Sequence, residues 1–216
     1  MIKLCIFDMD GLLIDSERCM WSVSMAIAAK KQGFTLTQEV HNTFRGMNFK
    51  SVGEILRNEF GPNFDYDLFL KDMHKNNQHI IEEGIPLRPG VQELLDYLRK
   101  NNIKTCIGTT TPRATADKIL NTIGITNYFD GVVCGDEITN GKPDPEIYLT
   151  CLAKFNEVSK EEAIIFEDGQ AGADAAIAAG IKLVLVPDLA KLDDEVKTKA
   201  YKVIDNIKEI IPEICK

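Results

Sequence analysis

Asp8 and Asp10 stand two residues apart in Asp8-Met9-Asp10-Gly11, directly behind the apolar run Leu4-Cys5-Ile6-Phe7. In an extended chain residues i and i+2 point to the same side, so both carboxylates can serve one small region. Held that close they repel, and either one takes up a proton or a cation sits between them. Asp8 could then attack an electrophile while Asp10 handles a proton, with a divalent metal holding the charge. An apolar strand that ends in an acidic turn would read the same way, because Asp and Gly are ordinary turn residues.

Three more apolar runs end in residues of the same kind. Residues 104–108 lead into Thr109-Thr110-Thr111, whose hydroxyls and N–H groups ahead of a helix suit a phosphate and serve equally as an N-cap. Residues 131–134 lead into Gly135-Asp136 and then Asn140-Gly141-Lys142-Pro143-Asp144-Pro145. Pro143 biases Lys142 towards an extended backbone. Asp144 is the expected N-cap and Pro145 the first helical residue, which leaves the Lys142 ammonium to reach inward. Residues 163–166 lead into Glu167-Asp168-Gly169, a second carboxylate pair followed by glycine. In an open α/β sheet, chemistry collects outside the carboxyl ends of the strands. Asp8, Asp10, Glu167 and Asp168 would therefore share one rim with Lys142 and the threonines. Such an acidic cluster should bind a hard, oxygen-seeking cation such as Mg²⁺.

The elements that must position these residues are legible in the hydrophobic pattern. Five β-forming apolar runs (3–7, 104–108, 131–134, 163–166 and 182–186) alternate with segments of helical period at 91–100, 114–124, 146–155 and 172–180. Strands apolar on both faces and separated by helices predict an α/β, Rossmann-like parallel sheet with helices on both faces. The gap after the first strand is too long for one crossover. It holds helix-like stretches at 17–31, 51–60 and 66–82, with a break at Gly61-Pro62-Asn63 and a return at Gly84-Ile85-Pro86. The expected organisation is a catalytic core of residues 1–15 and 84–216, with an all-helical cap inserted at 16–83. Two backbone crossings make a natural hinge.

With 44% hydrophobic and 27% charged residues, the composition excludes a disordered chain. A net charge of −8 argues against nucleic acid or an anionic membrane as a broad-surface partner. The first apolar stretch meets Asp8 before a signal-peptide core could form, and no apolar run reaches membrane-spanning length. The six cysteines form no CxxC pair. A reducing, cytoplasmic setting is expected, with a monomer as the default.

The order and spacing of Asp-x-Asp-Gly, the helical insertion, the threonine turn, Lys142-Pro143-Asp144-Pro145 and Glu167-Asp168 resemble the haloacid dehalogenase-like superfamily across essentially the whole chain. The stretches Asp8-Met9-Asp10-Gly11-Leu12-Leu13-Ile14-Asp15-Ser16-Glu17 and Phe166-Glu167-Asp168-Gly169-Gln170-Ala171-Gly172 look like its β-phosphoglucomutase and sugar-phosphatase branch. The resemblance implies that Asp8 is a nucleophile forming an aspartyl-phosphate, and that Asp10 is the general acid and base. It also implies that Thr109, with Thr110 beside it, and Lys142 bind the phosphoryl group. Mg²⁺ would be held by Asp8, the backbone carbonyl of Asp10 and Asp168, with Glu167 either on the metal or just behind it.

Asp10 further favours phosphate esters, since dehalogenating and phosphonate-cleaving members do not have this second aspartate. Sugar-phosphate mutases carry a histidine early in the cap; the matching stretch here is Arg18-Cys19-Met20-Trp21. Hydrolysis is therefore the expected activity, with mutase activity as the alternative and a non-catalytic phosphometabolite-binding protein as a third reading. His41, His74 and His79 are expected on solvated helix surfaces. Candidate substrate contacts are Arg45, Asn48 and Lys50 in the cap and Arg113 in the core, and Trp21 could stack on a ring. A small cap suits a sugar phosphate or a nucleoside-type monophosphate, and pseudouridine-phosphate phosphatases share similar Leu-Leu-Ile-Asp-Ser-Glu and Val-Pro-Asp stretches.

Overall fold

Leu4–Phe7 (β1) is buried at every position, as expected of a strand covered on both faces. The computed structural model describes residues 1–44 and 49–214. They form two compact units, Met1–Asp15 with Pro86–Lys216, and Ser16–Ile85.

In the larger unit, β1 is flanked by β2 (Lys104–Gly108) and β4 (Ala163–Glu167). With β3 (Gly131–Val133), β5 (Lys182–Leu185) and β6 (Lys202–Val203) they make a parallel sheet of order β3-β2-β1-β4-β5-β6. Alternation divides the core. Leu4, Ile6, Ile165 and Leu183 pack with Ile147, Tyr148 and Cys151 on one face. Phe7, on the other, stacks on Phe166 with centroids 4.8 Å apart. Val91–Lys100 (α5, numbered after four helices of the smaller unit) buries Val91, Leu94, Leu95 and Leu98, the i, i+3, i+4, i+7 stripe of a core-facing helix. Arg113–Thr122 (α6), Glu146–Ala153 (α7) and Gln170–Ala179 (α8) each follow a strand's carboxyl end. The five anticipated strands are present to within a residue or so at their ends. β6 was not anticipated, because two residues carry no periodicity to read.

The smaller unit is helical: Val23–Lys31 (α1), Gln38–Phe44 (α2), Phe49–Phe60 (α3) and Tyr66–Glu83 (α4). A wide π-type stretch, Glu17–Ser22, leads into α1. Its core gathers Met25, Ala28, Ala29, Val52, Leu56, Phe64, Tyr66, Phe69 and Met73. Asp65 caps α4 by accepting from the Leu68 N–H at 3.0 Å. α2 was not anticipated, since its polar sequence shows no apolar stripe. His74 and His79 are exposed as expected, but His41 is buried at 4% exposure, a correction to its expected solvated position. Arg45 and Asn48 lie outside the described residues, as do the side chains of Lys50 and Trp21. No helix among the described residues is long and apolar enough to cross a membrane.

Candidate active site

The end of β1 fixes the first carboxylate. Asp8 donates its backbone N–H to the Phe166 carbonyl at 3.0 Å, continuing the ladder one residue beyond the strand. The chain then folds tightly back. Leu13 and Ile14 donate to the Met9 carbonyl at 3.0 and 3.2 Å, and Gly11 donates to the Ile14 carbonyl at 3.0 Å. Met9 is fully buried, which leaves Asp8 and Asp10 on the opposite side. Gly11 has φ +86°, and a Cβ there would run into the Asp168 carboxylate. Glycine is thus required both by conformation and by space.

The threonine turn resolves into three separate environments. Thr109 is buried, and its Oγ1 accepts from the Thr111 N–H at 3.1 Å. Thr111 donates its hydroxyl to Asp10 Oδ2 at 2.7 Å, while Thr109 Oγ1 lies 3.5 Å from the same oxygen. Thr110 is exposed; its carbonyl is crowded by Gly135, where a Cβ would overlap it. None of the three caps α6, whose N-cap is Pro112. Thr111 is the residue that sequence reasoning missed here. Its spacing of two from Thr109 was the available signal.

Lys142 lies at the centre. Its ammonium donates to Asp8 Oδ1 at 2.5 Å and to Glu167 Oε1 at 2.6 Å, with a side chain only 6% exposed. The ammonium also sits 4.9 Å from the ring centroid of Tyr148. Burial alone would lower its pKa, but Asp8 and Glu167 more than offset that and hold it well above the ordinary lysine range. The Lys142–Pro143 peptide bond is cis. α7 begins at Glu146 rather than at Pro145, with Asp144 Oδ1 accepting from the Glu146 N–H at 2.9 Å.

Glu167 ends β4 and is saturated. Oε1 accepts from Lys142 and, at 2.5 Å, from the Tyr148 hydroxyl. Oε2 accepts from the N–H groups of Asp168 and Gly169 at 3.0 and 3.2 Å. A carboxylate offers about four acceptor positions, so all are engaged. Gly172 makes room for this group, since a Cβ there would overlap the Glu167 carboxyl.

Asp8, Glu167 and Asp168 each offer a carboxylate oxygen, all within 4.8 Å of one another. Burial pushes Asp8 up to about 8, with Lys142 opposing and Glu167 and Asp10 adding to the shift. Burial, followed by the charges of Glu167 and Asp8, pushes Asp168 up to about 9. Buried carboxylates this reluctant to ionise together suit a divalent cation, and oxygen donors suit a hard one. Of the three, Glu167 already accepts from four protein donors.

Arg113, expected to reach a substrate, is engaged elsewhere. Its guanidinium donates to Asp117 at 3.2 Å, the Val132 carbonyl at 2.9 Å and Glu137 at 2.6 Å, which ties α6 to the end of β3.

A parallel α/β sheet whose carboxyl edge gathers a carboxylate pair, a buried lysine and a second acidic pair defines a hydrolytic or group-transfer enzyme. The family model of the haloacid dehalogenase-like hydrolases matches residues 5–186, and the chain belongs to that family. It is 34% identical over 183 residues to the phosphorylated carbohydrates phosphatase of Thermotoga maritima, covering 85% of this chain and 84% of that one. A Drosophila melanogaster protein provisionally described as a pseudouridine-5′-phosphatase is 28% identical over 214 residues, covering 97% of this chain and 91% of its own. Among solved structures, a Thermotoga maritima protein provisionally described as a β-phosphoglucomutase superposes with a TM-score of 0.84. Its identity is 31%, with 98% of this chain and 97% of that one covered.

Proposed function

We propose that this enzyme is a Mg²⁺-dependent phosphatase that hydrolyses a small phosphorylated metabolite, of sugar-phosphate or nucleoside-monophosphate type, through an aspartyl-phosphate on Asp8. The observation that carries the reading is Lys142 held between Asp8 and Glu167, beside an Asp10 whose orientation is fixed by Thr111. That is a nucleophile with its charge balanced and a proton carrier held in place. The names of the relatives support phosphate esters of small metabolites as the substrate class.

In the first half-reaction an Asp8 oxygen attacks phosphorus, and the ester oxygen leaves with a proton from Asp10. In the second, Asp10 takes a proton from water as that water attacks phosphorus, which releases phosphate and regenerates Asp8. Lys142 neutralises Asp8 and the incoming phosphoryl oxygens, so that two anions can approach. Thr111 keeps Asp10 aimed at the transferring group. Asp8, Asp168 and the Asp10 carbonyl would hold Mg²⁺, which would supply positive charge against the nucleophile and the phosphoryl oxygens. Phosphoryl transfer has a loose transition state, so such positioning and charge supply most of the acceleration.

The test is phosphate release from a panel of sugar phosphates, nucleoside monophosphates and pseudouridine 5′-phosphate, with Mg²⁺ and with EDTA. Metal-dependent release from one class supports the reading. The likeness to a protein described as a β-phosphoglucomutase motivates one further arm, β-glucose 1-phosphate with glucose 1,6-bisphosphate. Silence across the panel with glucose 6-phosphate formed in that arm would replace hydrolysis by isomerisation.

Thr111→Val removes the hydroxyl at nearly constant volume. A hydrogen bond to a charged group contributes about 1.5–3 kcal/mol, so kcat should fall roughly ten- to a hundredfold with KM little changed. Steady-state kinetics showing unchanged kcat would remove Thr111 from the mechanism.

Metal binding should also release protons. Asp8 and Asp168 ionise near 8 and 9 in the absence of a cation, so around neutral pH a divalent ion must displace protons to bind them. Apparent Mg²⁺ affinity should therefore rise with pH between about 7 and 9. Calorimetry in two buffers of different ionisation enthalpy reads the proton release directly, and a pH-independent affinity with none would refute the assignment.

A further inference from the structure

Tyr148 lies on α7, six residues beyond Lys142, and is fully buried. Its position in the helix reads as core, and most of its ring does pack there. The hydroxyl is the exception. Burial, reinforced by the charges of Glu167 and Asp8, holds the phenol well above its ordinary pKa, so the group stays an O–H donor. That donor goes to Glu167 Oε1 at 2.5 Å, the oxygen that also accepts from Lys142 at 2.6 Å.

The stoichiometry of that oxygen matters. It has two lone pairs, one taken by Lys142 and the other by Tyr148, while Oε2 is occupied by the Asp168 and Gly169 N–H groups. An ammonium has three donors. With Tyr148 in place, Lys142 can give Glu167 only one of them; a second goes to Asp8, and the third remains for a phosphoryl oxygen. Without the hydroxyl, Glu167 Oε1 has a lone pair to spare, and a second lysine N–H can turn onto it.

We infer that Tyr148 is a positioning residue whose hydroxyl limits the hold of Glu167 on Lys142 and so keeps the lysine turned towards Asp8 and the transferring phosphoryl group. The aromatic face beneath the ammonium, 4.9 Å away, supports the lysine from below in the same arrangement. The inference rests on the phosphatase reading for its catalytic consequence, though the placement of the lysine can be read without turnover.

Tyr148→Phe keeps the ring, and with it the core packing, and deletes only the donor. On the best substrate of the panel, kcat should fall about tenfold, as is typical when a supporting hydrogen bond behind a reactive group is lost, while KM and the melting temperature stay near wild type. Tyr148→Leu is the packing control and should lower the melting temperature as well. In a Glu167→Gln background, Tyr148→Phe should have no further effect on kcat, because the two changes act through one contact. The Lys142 ammonium resonance in ¹H–¹⁵N spectra should shift in Tyr148→Phe without substrate or metal. Unchanged kcat together with an unmoved resonance overturns the inference. A shifted resonance in a protein that releases phosphate from nothing would sustain the placement of Lys142 and reject the phosphatase reading instead.

Discussion

Asp8→Asn should reduce phosphate release by roughly four orders of magnitude or more, the scale seen when a covalent nucleophile is removed, with the fold intact. An amide cannot form the aspartyl-phosphate, and Glu167, the other carboxylate on Lys142, already accepts from four donors. The stability side of the prediction is less usual. Asp8 ionises near 8 in the folded chain against 3.8 as a free side chain. A raised carboxyl pKa means that folding loses stability as pH rises from the lower value through the higher one. Asparagine carries no such penalty, and Lys142 keeps Glu167 as a partner. Metal-free Asp8→Asn should therefore melt no lower than wild type at pH 9. Residual turnover within tenfold of wild type would end the covalent mechanism. Lost activity accompanied by an early melt would mean that Asp8 is structural.

Lys142→Met should do the reverse to stability. Methionine fills much of the volume but leaves Asp8, Glu167 and Asp168 buried without their cation. Breaking one side of a buried ionic group typically costs about 3–5 kcal/mol. The carboxyls can escape part of that cost by holding protons, so the loss should be small near pH 5. It should grow as pH rises through about 8–9, where Asp8 and Asp168 ionise even with the lysine present. Added Mg²⁺ should restore stability by supplying the missing charge, although turnover should remain about a hundred- to a thousandfold down, as when an electrostatic stabiliser is removed. Thermal melts at pH 5.5 and 9, each with Mg²⁺ and with EDTA, test this directly. A loss in melting temperature relative to wild type that is the same at both pH values would show that Lys142 does not neutralise the cluster.

What the sequence made legible follows from range of interaction. Strands β1 to β5 were readable because each is a continuous apolar run, and α5 because its stripe is complete within ten residues. The positions of Asp8, Asp10, Lys142, Glu167 and Asp168 on one rim followed from those strand ends, since parallel strands bring their carboxyl ends together. Partners chosen by packing between elements were not readable. The Tyr148 hydroxyl carries no pattern of its own in the sequence, and it meets Glu167 only once α7 packs on the sheet. Gly172 stands in an alanine-rich helix with no signal of its own, yet its missing side chain is the space that Glu167 fills. Arg113 misled because its neighbour in sequence was the threonine turn, while Glu137, one of the groups that captures it, lies across a strand. Whether Glu167 touches the metal was left open by sequence, and the four donors on its carboxylate support the position behind it.

The placement of β1 also governs how this enzyme should fail. It is paired along its whole length on both sides, and the Asp8 amide extends that ladder into Phe166. Amide exchange there requires parting the middle of the sheet, which for such central strands means opening the whole unit. The Asp8 backbone N–H should thus be among the slowest amides to take up deuterium, while helix ends and surface turns exchange freely. Local breathing can then loosen much of the surface and still leave the Asp8 carboxylate on a fixed mount.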